Sequence, residues 1–209
     1  MLKLSAALLA LTALSNVAQA HEIWVERDGA GPARIYLGEP ADALPPGGDP
    51  EFEKLKAPRI VPASSAAQAR KAGYIEVAVP AGDVRVIDDT VFAPWGEEGK
   101  KEGVVYYARA GRADAKAALP WEIVPTAANG DSVVLMHDGK PVPAAKLTVI
   151  SPDKWSKIVT TDAQGRVTLP VQGKGRYIVT TSQEETGDLT LGSAKVAKIY
   201  HIATLTFVR

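Results

Sequence analysis

Short segments with strand character, separated by turn residues, restrict the fold of this chain more than any other feature. Residues 74–79 alternate between apolar and polar side chains, and residues 104–110 are rich in β-branched and aromatic residues. Segments of this kind recur about every ten residues, with glycine, proline, aspartate or asparagine between them. The pattern is typical of antiparallel sheets that pack on one another and predicts an all-β protein.

A small, polar stretch at residues 126–131 separates two strand-rich blocks. We therefore expect an N-terminal β-domain over residues 21–126 and a C-terminal Ig-like β-sandwich over residues 127–209. Within these blocks, the alanine-rich residues 64–72 suggest a helical turn that ends at Gly73. The polar residues 182–193 suggest a loop before a long last strand over residues 196–208.

The first 20 residues have the pattern of a secretory signal peptide. Lys3 supplies a positive start, residues 4–17 are mostly apolar, and Ala18-Gln19-Ala20 fits the small-x-small pattern that signal peptidase cleaves. Cleavage there would make His21 the first residue of an exported, periplasmic protein. No later apolar run is long enough to span a bilayer, so we expect no transmembrane segment in the mature chain.

Composition excludes several kinds of site. The chain has no cysteine, so any metal must bind through histidine, carboxylate or backbone groups. Its 24 basic and 24 acidic residues balance, which does not favour binding to nucleic acid. The sequence contains no Gly-x-Ser-x-Gly, His-Glu-x-x-His or glycine-rich phosphate loop, so no catalytic residue is assigned.

The histidines are the candidate metal ligands. An exposed α-amine has a pKa of about 8 and an imidazole of about 6.5, so both are available as neutral nitrogen donors near neutral pH. His21, as the first residue, would present both groups to one ion. His201 lies on the apolar face of the last strand, and His137 begins a turn. Glu22 and Glu184 are carboxylates that would complete or orient such a site.

The chain also resembles a bacterial exported family catalogued as domain of unknown function 4198. The resemblance is carried by residues 20–26 (Ala-His-Glu-Ile-Trp-Val-Glu), residues 138–145, residues 161–166 (Thr-Asp-Ala-Gln-Gly-Arg), Gly175-Arg176-Tyr177 and residues 201–207. The C-terminal motifs are shared with transthyretin-like and other Ig-like carrier sandwiches. The resemblance implies a periplasmic metal-handling protein, related to components of nickel and cobalt uptake, with its metal site at the mature N-terminus.

Together these observations predict a periplasmic protein that binds nickel, cobalt or copper and passes it to, or keeps it for, a membrane metal transporter. Copper follows from the nitrogen donors and its high place in the affinity order of divalent metals. Two other functions stay open. One is a copper enzyme of the histidine-brace kind that performs oxidative chemistry. The other is a metal-free adhesion or carrier module.

Overall fold

A computed structural model describes residues 21–209, so the predicted signal peptide lies outside the described residues. The prediction of an all-β protein is confirmed, since 50% of the structure is strand and 2% is helix. Helical structure consists of one 3-10 turn, Phe52–Lys54, so no helix in this part of the chain could cross a membrane.

The fifteen strands of residues 21–209, in chain order, are β1 (Glu22–Arg27), β2 (Ala33–Gly38), β3 (Arg59–Val61), β4 (Gln68–Lys71), β5 (Tyr74–Val77), β6 (Val84–Asp88), β7 (Glu102–Ala110), β8 (Trp121–Pro125), β9 (Ser132–His137), β10 (Lys140–Pro141), β11 (Lys146–Ile150), β12 (Ser156–Thr160), β13 (Arg166–Thr168), β14 (Arg176–Leu191) and β15 (Ala194–Val208).

A seven-stranded central sheet organises the molecule, in the order β12-β11-β14-β15-β7-β6-β3. All neighbours pair antiparallel except β15 and β7, which run parallel from Lys198 beside Glu102 to Thr206 beside Ala110. Strands from both sides of the predicted boundary at residues 126/127 join in this sheet. The two halves of the chain therefore share their largest structural element.

Both faces of the central sheet are covered, which explains why eight consecutive residues of β7 are buried. Even-numbered residues of β7, such as Tyr106, pack with Ile202 of β15 in one core. Odd-numbered residues, such as Tyr107, pack with Leu205 in another. The protein is thus a three-layer arrangement of sheets with two hydrophobic cores, one on each face of the central sheet.

The first outer layer is a four-stranded sheet in the order β1-β2-β5-β4, here called the β1 sheet. Its apolar side chains, including Ile23, Val25 and Ile35, pack on the even-numbered face of β7. The second outer layer, here called the β9 sheet, contains β8, β9, β10 and β13. Its inward residues, such as Leu135, pack on the opposite face. The predicted boundary at 126/127 falls between β8 and β9, which pair with each other along their length.

Two local predictions were wrong. Residues 64–72 form no helix, because Gln68–Lys71 make β4 and pair antiparallel with β5 through the turn at Gly73. Residues 182–193 are not a loop, because β14 continues to Leu191 and pairs with β15 almost to the hairpin turn. In both places, backbone hydrogen bonds to the partner strand determine the strand conformation. A polar or alanine-rich sequence does not by itself predict that pairing.

Candidate metal centre at His21

The His21 ring lies between two carboxylates at the start of β1. Its Nε2 is 3.1 Å from Asp49 Oδ1, and its Nδ1 is 3.6 Å from Glu51 Oε2. The side chain is 22% exposed, so the ring is held against the protein but reachable from solvent. Both acids belong to the segment that leads from β2 to the 3-10 turn, more than twenty residues further along the chain than His21.

Glycines allow this acidic segment to pack closely. A Cβ on Gly48 would lie 2.2 Å from the Cα of Gly73, so the two backbones touch with no room for a side chain. A Cβ on Gly38, the strand partner of Glu22, would lie 3.2 Å from Asp49 Oδ2. All three glycines have positive φ, which other residues adopt only with strain. These contacts hold Asp49 beside the first residues of β1.

Glu51 is held on its other side by Lys54. The Lys54 ammonium pairs with Glu51 Oε1, which leaves Oε2 directed toward the imidazole. The same ammonium lies 4.6 Å from the centre of the Phe92 ring, and the Phe92 and His21 ring centres are 6.1 Å apart. Phe92 and Lys54 therefore form one wall of the site.

The surroundings of the site carry negative charge. Tyr106, buried near Phe92, has its pKa raised first by burial and then by the nearby charges of Glu22, Glu51 and Asp88. Oδ2 of Asp88 is buried and makes no hydrogen bond with any of residues 21–209. These acids lie near Tyr106, and the Lys54 ammonium stands among them at Glu51.

Glu22 does not join His21. Adjacent residues of a strand point to opposite sides, and the Glu22 carboxyl instead hydrogen-bonds to the side chain of Thr180 on β14. Its Oε2 is buried and has no hydrogen-bond partner in the described part of the chain. Burial, opposed by the Thr180 hydrogen bond and assisted by the charge of Glu39, raises the pKa of Glu22 to about 7.

His201 is a buried, fully hydrogen-bonded histidine. Its Nδ1 is 3.1 Å from the Tyr107 hydroxyl, and its Nε2 is 3.0 Å from Glu185 Oε2. Because burial raises the pKa of Tyr107, the phenol keeps its proton and donates to Nδ1, while Nε2–H donates to Glu185. The pKa of His201 is lowered, chiefly by burial and against the pull of Glu185.

His21 and His201 lie on opposite faces of the central sheet. His21 neighbours Phe92, which contacts Tyr106 on the face covered by the β1 sheet. His201 contacts Tyr107 and Trp121 on the face covered by the β9 sheet. The structure therefore separates the two histidines that were expected to share one ion, and within residues 21–209 no second imidazole reaches His21.

The structure does bring His137 near His201, with ring centres 6.5 Å apart. His137 stacks on Trp121 at 4.0 Å, and its Nε2 is 3.4 Å from Asp138 Oδ2. The carboxylate at His201 is Glu185 rather than the expected Glu184.

Glu184 points the other way, because consecutive strand residues alternate. It pairs with Lys198 at 3.4 Å.

No three histidine, aspartate or glutamate side chains of residues 21–209 are arranged to hold a metal ion. At His21 the side chains supply one imidazole and two carboxylates, and the α-amine of a chain beginning at His21 would be a further nitrogen donor. Sequence reasoning missed Asp49 and Glu51; the acidic, glycine- and proline-rich stretch of residues 38–50 includes Asp49 and ends just before Glu51.

No family model, no curated protein and no solved structure matches the chain. The resemblance to domain of unknown function 4198 and the Ig-like character of residues 127–209 stay predictions.

Proposed function

We propose that this chain is an exported protein that binds a transition-metal ion at a mature N-terminus beginning with His21. It then acts as a carrier or accessory protein for uptake of nickel, cobalt or copper through a membrane transporter. The observation that carries the proposal is the convergence of Asp49 and Glu51 on the two ring nitrogens of His21.

The two carboxylates have different roles in this proposal. Asp49 Oδ1 lies 3.1 Å from Nε2, close enough to face a protonated Nε2 and orient the imidazole, as carboxylates behind metal-binding histidines commonly do. With the ring proton on Nε2, Nδ1 would be free to bind a metal, and Nδ1 is the ring nitrogen that can form a chelate with the α-amine of the same residue. Asp49 is therefore a positioning residue, and Nδ1 and the amine are ligands.

Glu51 supplies the third donor. Its Oε2 is 3.6 Å from Nδ1. Ligands that are about 2.0–2.2 Å from one ion span such a distance when they subtend roughly 120° at it. Amine, imidazole and carboxylate would thus occupy three positions and leave one open to solvent, a partner protein or a second ligand. An open position suits delivery of the ion to a transporter.

The choice of metal rests on the donors. Two nitrogens and one oxygen suit nickel, copper, cobalt and zinc, and copper(II) has the highest intrinsic affinity of these. Nickel or cobalt is what the family resemblance implies. Because the amine and imidazole must lose protons to bind, affinity is expected to fall as the pH drops below about 6.

The decisive experiment compares two forms of the chain that differ at the amine. One form begins with His21, which is verified by intact mass. The other carries a folded tag that is joined to the amino group of His21 through a long linker. Extensions of one or two residues are avoided, since a nearby amine still chelates with the same imidazole. Copper and nickel affinities are measured by competition with a chelator, and stoichiometry by native mass spectrometry.

We expect one ion for each chain that begins with His21 and binding at least about tenfold weaker in the tagged chain. Asp49→Asn and Glu51→Gln should each weaken binding by about 10- to 100-fold. Glu53→Gln is the matched control, because Glu53 is 85% exposed and lies in the same segment without contacting His21. Equal affinity of the two chains, or an equal loss in the Glu53 variant, would refute the proposal.

A further inference from the structure

Trp95 is an exposed aromatic residue that the proposed metal site does not use. The residue is 41% exposed, which is unusual for a tryptophan. It follows Phe92 in the segment between β6 and β7, so it lies beside the same face of the central sheet as the His21 site.

The indole is nevertheless held in a defined orientation. The backbone N–H and C=O of Trp95 both pair with Glu102, at 2.9 and 2.8 Å. The ring is parallel to that of Tyr200 within 8°, with ring centres 6.2 Å apart, so the two rings are offset. Tyr200 is fixed in turn, because its hydroxyl donates to Glu102 Oε2 at 3.0 Å. Trp95 is therefore an exposed but preorganised flat surface.

Polar groups of both signs lie beside Tyr200, the ring on which Trp95 stacks, and one of them, Glu102, is also the backbone partner of Trp95. Lys198 Nζ lies 3.3 Å from the Tyr200 hydroxyl, 3.6 Å from Glu102 Oε1 and 3.4 Å from Glu184 Oε2. These donors and acceptors pair with one another, and a hydroxyl group, which both donates and accepts, can bond to either kind. A ligand of one charge sign would gain less from such a mixed rim.

We propose that Trp95, backed by Tyr200 and edged by Lys198, Glu102 and Glu184, is a binding platform for a glycan. The apolar C–H face of a hexose ring stacks on the indole, and its hydroxyls bond to the charged rim. This inference does not depend on the metal site, since it uses none of the residues that contact His21. It gives the protein a place to dock on a polysaccharide.

The test is a titration of the chain beginning at His21 with cellohexaose and with chitohexaose, in the presence of EDTA. Binding is followed through the indole N–H signals in two-dimensional NMR. Trp155 supplies the matched control, because it is 38% exposed but stacks on no aromatic ring among residues 21–209. The expected result is a saturable shift of the Trp95 signal by at least one of the two sugars.

We expect Trp95→Ala to weaken binding at least tenfold and Trp155→Ala to change it less than twofold. Trp95→Phe keeps a smaller ring on Tyr200 and should give an intermediate affinity. This result would distinguish loss of the stacking surface from a disturbance of the fold. The absence of a saturable shift with both sugars at millimolar concentration would overturn the inference. So would an equal loss of binding in the Trp155 variant.

Discussion

The buried carboxyl of Glu22 should make the protein less stable as the pH rises from acid to neutral. In the folded chain its pKa is about 7, compared with 4.5 for an exposed carboxyl. Between these two values the folded state holds more protons than the unfolded state, so the free energy of unfolding falls as the pH rises. At about 1.4 kcal/mol for each tenfold change in the proton equilibrium, the full loss is about 3 kcal/mol by pH 8.

Glu22→Gln tests this reasoning because it removes the charge and keeps the size of the side chain. We expect the variant to be more stable than the natural chain by about 2–3 kcal/mol at pH 8, and to be close to it at pH 4.5. The measurement is urea unfolding of the chain beginning at His21, with EDTA, at several pH values. Glu53→Gln, in an exposed position, should change stability by less than about 0.5 kcal/mol at any of them.

The result that refutes the argument is a free-energy difference between the natural chain and Glu22→Gln that does not grow with pH. It would mean that ionisation of the carboxyl costs no free energy of folding, because water or another donor reaches its Oε2. A difference of opposite sign, with the glutamine variant less stable at pH 8, would mean that the ionised carboxylate is stabilised by hydrogen bonds such as that with Thr180.

Two further predictions concern the packing near His21 and the hydrogen bonds of His201. Gly73→Ala should cost about 1–3 kcal/mol more in urea unfolding than Gly82→Ala, because both glycines have positive φ but only at Gly73 would the new Cβ collide with Gly48. The His201 ring should titrate below an ordinary imidazole when followed by NMR. Tyr107→Phe should raise that pKa, since the phenol hydrogen-bonds to the neutral ring, and an unchanged or lower value would contradict the proposed direction of this hydrogen bond.

The fold class could be read from local pattern, but the assembly of the sheets could not. Period-2 alternation and β-branched content identify β5 and β7 directly, since these properties belong to single strands. The extension of β14 to Leu191 had no such signal, because residues 182–191 are mostly polar and are held by pairing with β15. The parallel pairing of β7 with β15 joins segments about a hundred residues apart, a contact that no local pattern encodes.

The acidic part of the candidate site was missed for a related reason. Asp49 and Glu51 lie in an irregular segment, where side-chain direction follows no period. Their approach to His21 depends on Gly48 and Gly73 meeting backbone to backbone, which brings the segment before the 3-10 turn against the β4–β5 turn. A sequence shows that such glycines are free to adopt positive φ, but it does not show which other backbone they meet.

The separation of His21 from His201 follows from the number of layers. Alternation correctly places His201 on the face of β15 that carries Ala203 and Leu205. In a two-layer sandwich every inward face meets one core, so an inward histidine of the last strand and one at the start of β1 would face each other. Here β15 belongs to a central sheet with a core on each side, and β1 borders the other core. Which of the two cores a residue enters is decided by which outer sheet covers that face. Any metal site at the N-terminus must therefore draw its remaining ligands from the β1-sheet side, where Asp49 and Glu51 lie.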